Sequence, residues 1–176
     1  LEFIPETILV DDFYLSMKVL DKGAHCISDL EAIAHEALPG KLTEEFRRKS
    51  RISSGNFQNL KIFGNILISK PIIRAFCFFS HKVLRWISPI LILLAFLSSA
   101  ILTLFHAGLA TGILSFLCLI FLIIPMVDYP LDKAGIQVGI IRNISYFAWM
   151  NLALLIGFIK YWKGIKTSIW QPTGRK

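Results

Sequence analysis

The dominant feature of the hydrophobic pattern is a gap in charge. Between Arg85 and Asp128 lie forty-two positions with no formally charged side chain, and only His106 interrupts them. As one helix this run would measure about 63 Å, roughly twice the 30 Å hydrocarbon core of a bilayer. It must therefore fold back, and His106-Ala107-Gly108 near its middle is the natural turn. The pattern predicts one span from Ile87 to Phe105 and a second from Leu109 to Val127, ended by Asp128-Tyr129-Pro130. A third uncharged stretch runs from Asn143 to Ile159, with Tyr146, Trp149, Tyr161 and Trp162 available as interface anchors. The stretch from Phe57 to Phe79 is apolar but broken by Lys61, Lys70, Pro71 and Arg74, which suits a segment lying along the interface.

The first part of the chain has a different rhythm. Asp11 and Asp12 open a helical stretch, Phe13 to Asp21, where acids complement the helix dipole, and Gly23 is its stop. A strand-like stretch follows from Ala24 to about Ala34, then a turn at Pro39-Gly40. Thr43 is placed to cap a second helix with Glu44 and Glu45 in its first turn. About forty residues cannot bury a stable core alone. The chain also opens on Leu1 rather than Met and carries no signal-peptide pattern, so it is expected to continue a longer protein.

Composition sharpens this division. At 55% hydrophobic residues the chain is too apolar for an ordinary soluble domain. The net charge of +7 is unevenly spread. Residues 1–40 carry −6, residues 41–86 carry +8, residues 87–159 balance, and the last seventeen add five bases. An acidic head, a basic collar and an apolar end describe a chain that meets a membrane partway along. A nucleic-acid stripe fits less well, because the collar abuts the apolar runs. Cys26, Cys77 and Cys118 are scattered and form no CxxC pair, so neither a disulfide framework nor a zinc site is expected. His25, His35, His81 and His106 show no metal-ligand spacing.

Two constellations carry candidate chemistry. One carboxylate of Asp11-Asp12 can serve as a general base with its neighbour setting its geometry, or the pair can simply cap a helix and meet solvent. Arg47, Arg48 and Arg51 share one helical face by their spacing. Convergent guanidinium groups match a pyrophosphate, and they equally match anionic lipid headgroups.

The order of these pieces resembles the family 2 glycosyltransferases that have a cytoplasmic GT-A-type domain and C-terminal membrane helices, such as the cellulose, hyaluronan and poly-N-acetylglucosamine synthases. An acidic pair opens a helix, a strand follows, then an acid-Pro element (Glu36 to Pro39), an arginine-rich helix ending in Gly55, and membrane helices. The resemblance implies that Asp12 is the general base beside Asp11. It also implies that Arg51, with Arg48 and Arg47, contacts the nucleoside diphosphate and the acceptor. In the QxxRW pattern of that family Arg48 stands for the Gln and Ile52 for the Trp, a change that points away from a processive synthase. The stretches Lys82 to Trp86 and Trp170 to Arg175 also look like the ends of such proteins.

The fold so implied is membrane α-helical, with about three transmembrane helices. They are preceded by an interfacial helix and by the C-terminal α/β remnant of a GT-A-type domain. Residues 1–56 would be that remnant, 57–86 an amphipathic interfacial region, 87–162 the membrane helices and 163–176 a basic tail. A nucleotide-sugar donor, a glycan or lipid-linked acceptor, and membrane lipid are the implied partners, with no nucleic acid. No Asp-x-Asp occurs in the chain, so a divalent metal (Mg or Mn) and the donor are expected to bind in an upstream part, and this piece alone is expected to be inactive.

The basic collar predicts a multi-pass protein of the cell (inner) membrane with its catalytic side cytoplasmic. Three spans, however, would place the basic tail on the opposite side, against the same rule. A non-catalytic anchor or assembly subunit binding anionic lipid through the collar is the rival reading. A transporter is disfavoured by the absence of charge within the spans.

Overall fold

The computed structural model describes residues 4–27, 29–35, 42–105, 108–136 and 138–164. Among them every regular element is helical. They gather into two compact units. One joins the residues up to Trp86 with those from Ile156 onward, and the other is Ile87–Leu155.

Helix α1, Asp11–Asp21, starts on its two acids and ends before Gly23, whose φ of 79° is the left-handed conformation that favours glycine. The strand expected from Ala24 to Ala34 is not formed. Residues 24–27 and 29–35 carry no regular structure, and Ile27, Leu30 and Ile33 are 75–90% exposed. A strand is stable only beside paired neighbours, and the described residues supply none. The α/β remnant expected over residues 1–56 is thus unsupported. The predicted turn at Pro39-Gly40 and the element from Glu36 to Pro39 lie outside the described residues.

Helix α2, Leu42–Phe63, corrects two further expectations. Thr43 lies inside its first turn rather than capping it, and Gly55 does not end it. A 3₁₀ turn, Gly64–Ile68, follows, and α3, Ile72–Phe78, begins after Pro71. A π turn, Phe79–Val83, joins α3 to α4, Leu84–Leu104, in one unbroken helical run. The core of this first unit is aromatic. Phe57, Phe63, Phe78 and Trp86 are each at most 6% exposed, with Met17, Ile66 and Val83 buried among them.

The second α2 neighbour comes from the far end of the chain. Ser50, Ser53, Ser54 and Phe57 share a buried face of α2. Ser54 Oγ donates to the carbonyl of Gly157 at 2.8 Å, and the ring of Phe57 meets those of Phe158 and Tyr161 at 4.8 and 6.2 Å. A Cβ on Gly157 would stand 2.5 Å from the Ser50 carbonyl oxygen, so small residues on both sides let the helices touch.

The other unit holds most of α4, α5 (Leu109–Lys133) and α6 (Gly139–Trp162) as far as Leu155. These are three helices long and apolar enough to cross a membrane, which marks a membrane protein. The second span was expected to stop at Asp128-Tyr129-Pro130. Instead α5 continues through Pro125 and Pro130 to Lys133. Asp128 is buried on it, 3.4 Å from Arg142 Nε of α6, and Arg142 Nη2 reaches Asp132 at 2.6 Å. These charged residues are the polar link between two helices. His106 and Ala107 of the predicted turn, and the tail from residue 165, lie outside the described residues.

Candidate functional site

The predicted site residues all fall in the first unit, and α2 organises them. Arg51, Gly55, Gln58 and Asn59 are spaced i, i+4, i+7 and i+8, so they line one face of the helix. Against this face lies the non-helical segment from Thr7 to Val10. The Leu9 amide donates to Gln58 Oε1 at 3.2 Å, and Gln58 Nε2 donates to the Thr7 carbonyl at 2.9 Å. Arg51 Nη1 donates to the Leu9 carbonyl and Asn59 Nδ2 to the Val10 carbonyl, each at 3.3 Å. Gly55 makes this close approach possible. A Cβ there would sit 2.5 Å from Val10 Cγ2 and 3.0 Å from Leu9 Cβ. Backbone groups of a non-helical segment are thereby satisfied by three side chains of α2.

This strap delivers the chain directly to Asp11 and Asp12. Both are exposed at the start of α1. Asp11 Oδ1 accepts from the Asp12 amide at 3.1 Å, and Asp12 Oδ1 accepts from the Phe13 amide at 2.7 Å. Each carboxylate thus satisfies a helix-terminal N–H with one oxygen.

The next residue anchors the helix. The Phe13 ring lies 5.6 Å from Trp86 edge-on and 6.4 Å from Phe78, and Lys82 Nζ sits 5.3 Å over it. Phe78 and Trp86 also meet edge-on at 6.0 Å, and Tyr14 packs on Phe63 at 5.6 Å. The π turn belongs to this arrangement, because the extra residue in its ring of backbone bonds shifts the register between Phe78 and Trp86.

Arg51 reaches the Leu9 carbonyl, two residues before Asp11, and sequence reasoning placed Asp11 and Asp12 correctly at a helix start. It missed the strap partners Gln58 and Asn59, the role of Gly55, and the ring cluster around Phe13. The available signal was the spacing of polar residues from Arg51 to Asn59, which continues one face past Gly55. The three arginines do not act alike. Arg51 is half-buried and holds the strap, Arg48 is half-buried, and Arg47 is exposed.

Beside the strap, Thr7, Gln58, Lys61, Tyr161 and Trp162 border an open cleft of about 630 Å³. Its mix of amide, ammonium and aromatic groups suits a polar ligand with an apolar face. In the other unit Pro89, Phe96, Phe121, Trp149 and Leu152 line an apolar groove of about 620 Å³. Among the described residues no three His, Cys, Asp or Glu side chains gather in a way that holds a metal ion. Compared with models of known families, with curated proteins and with solved structures, the chain matches none.

Proposed function

We propose that this chain is the acceptor-side and membrane-anchoring part of an inverting glycosyltransferase, acting on a nucleotide-sugar donor and a glycan or lipid-linked acceptor in surface polysaccharide synthesis. The observation that supports it most directly is the strap. It joins an exposed acidic pair to the arginine-rich helix α2, the two elements that the resemblance to family 2 glycosyltransferases requires together.

In this reading Asp12 takes the proton of an acceptor hydroxyl as that oxygen attacks the anomeric carbon. The bond from the anomeric carbon to the diphosphate breaks, its electron pair leaves with the nucleoside diphosphate, and the configuration inverts. Asp11 orients its neighbour at the helix start by accepting from the Asp12 amide. Arg47 and Arg48 face the charge that builds on the diphosphate. Arg51 positions the acidic pair through Leu9, and its guanidinium has further N–H donors for the phosphate. A divalent metal, expected in a part of the protein outside this chain, would neutralise the same charge. The membrane helices hold the site at the bilayer surface, on the cytoplasmic side.

The test is sugar transfer by the full-length protein in membranes, assayed as nucleoside diphosphate released from a panel of nucleotide sugars. Asp12→Asn is expected to lower the rate by about 10²–10⁴-fold, the usual worth of a general base. A rate within twofold of wild type would remove Asp12 from the chemistry. Absence of transfer with every donor, in membranes where the protein is present and folded, would remove the transferase reading itself.

A further inference from the structure

The open cleft of about 630 Å³ beside the strap takes no part in the chemistry proposed above. Every residue that borders it belongs to the first unit. One border is Gln58, Lys61 and Ile62, from the last two turns of α2, with Thr7 of the strap. The other is Tyr161 and Trp162, from the last turn of α6, with Gly164, whose φ of 90° ends that helix.

The aromatic border is held in place from behind. Phe57 is buried in the core of this unit and packs on Phe158 at 4.8 Å and on Tyr161 at 6.2 Å. Phe158 in turn meets Trp162 at 5.8 Å in a T-shaped pair. Trp162 is nevertheless 77% exposed, and Ile62 beside Lys61 is exposed as well. An indole fixed by one neighbour and open elsewhere is a preformed apolar platform, with hydrophobic surface still to be covered.

The polar border is cationic. Lys61 is exposed, and among the described residues it makes no ion pair. No acid among the described residues borders the cleft. Lys160 and Lys163, on either side of the aromatic pair in sequence, are exposed too. The negative end of the α6 dipole opposes an anion here, but it amounts to about half a charge, against a full charge on each lysine. Gln58 gives one N–H of its amide to Thr7, and a side-chain amide has two, so a second donor is left for an acceptor in the cleft.

The end of α6 says where such an anion is met. The helix is long and apolar enough to cross a membrane, and it closes on Tyr161 and Trp162 between two lysines. That is the composition of a helix end at the headgroup level, where lipid phosphates are concentrated. We infer that the cleft binds the phosphate of an anionic lipid. Lys61 and the Gln58 amide take the phosphate oxygens, and the adjoining hydrocarbon covers Trp162, Tyr161 and Ile62. The inference does not depend on the transferase reading.

Native mass spectrometry of the full-length protein in a mild non-ionic detergent tests it with three probes. Dioctanoyl phosphatidic acid carries phosphate and chains, dioctanoylglycerol the chains alone, and inorganic phosphate the anion alone. The phosphatidic acid is expected to bind at least about tenfold more tightly than either of the others. Lys61→Gln should weaken it about fivefold, the usual worth of one cation near a lipid phosphate, and Lys61→Arg should keep it. Trp162→Ala should weaken it as well, and Lys133→Gln, in the other unit, should not. Lys61, Trp162 and Lys133 are all exposed, so the variants leave the fold in place. Dioctanoylglycerol bound as tightly as the phosphatidic acid reduces the cleft to an apolar recess and overturns the inference. Inorganic phosphate bound as tightly, with the same dependence on Lys61, overturns the lipid assignment in favour of a soluble phosphate. An affinity unchanged by Lys61→Gln, or lowered equally by Lys133→Gln, overturns the site, because charge spread over the whole protein would then be holding the lipid.

Discussion

The two units of this protein differ in where their large apolar side chains go. In the first, aromatic rings are inside: Phe63 is 2% exposed and Trp86 5%. In the second, the buried residues among those described are Pro89, Ser99, Asp128, Ser145, Asn151 and Ala153, while Phe116, Leu117 and Met126 are 56–75% exposed. Water drives apolar groups together, so the first unit reads as a structure whose packing is organised against water. Hydrocarbon exerts no such force between apolar helices. There, association rests on small residues, close packing and polar links. In the second unit Asp128–Arg142 and Ser88–Asn151 supply such links, beside the ring contact of Phe121 with Phe147.

The sharpest way to break this contrast is to remove a ring from each unit. Trp86→Ala should destabilise the protein by about 3–5 kcal/mol, the usual range for emptying an aromatic core site. Phe116→Ala, on the lipid-facing side, should change stability by no more than about 0.5 kcal/mol. Thermal unfolding in a mild detergent measures both, and equal losses would dissolve the distinction.

Glycines give a test with opposite signs. Gly157→Ala forces a Cβ against Ser53 and the Ser50 carbonyl and should cost about 1–3 kcal/mol. Gly112→Ala, with nothing within 4 Å of the new atom, should gain about 0.5–1 kcal/mol from helix propensity alone.

The most local effect is expected at the strap. Gln58→Ala removes two hydrogen bonds worth roughly 0.5–1.5 kcal/mol each. Its signature is local: faster hydrogen exchange at the Leu9 amide and slower sugar transfer, with the second unit unchanged. Transfer at the wild-type rate with a loosened strap would show that the strap does not position Asp12.

Much of this was legible beforehand, and the misses share a cause. The forty-two positions without charge located α4 and α5, because hydrocarbon tolerates few other patterns. The acids at Asp11 and Asp12 marked a helix start through local electrostatics. What failed were inferences about where elements stop. Gly55 and Pro130 look like breakers in isolation. Yet Gly55 is a contact point for Val10, and Pro130 sits in a helix whose end is tied by Asp132 to Arg142. Propensity is a local quantity, and a partner dozens of residues away overrode it at Gly55. The strand from Ala24 to Ala34 failed for the complementary reason, since strand formation needs a neighbour that no local pattern supplies. At the site, the residues that bear charge were visible by type. The residues that place them (Gln58, Asn59, Phe13, Trp86) were not, because their roles exist only once α1 and α2 are side by side.

The ring cluster around Phe13 has a mechanical consequence. Phe13 directly follows Asp12, and its ring is wedged against Phe78 and Trp86 at the foot of α4. The acidic pair cannot move relative to the first turn of α4 without parting those rings. The cluster therefore works as a ruler: it fixes how far the two carboxylates stand from Trp86. A shorter side chain at position 13 would change the gauge and leave the carboxylates themselves intact.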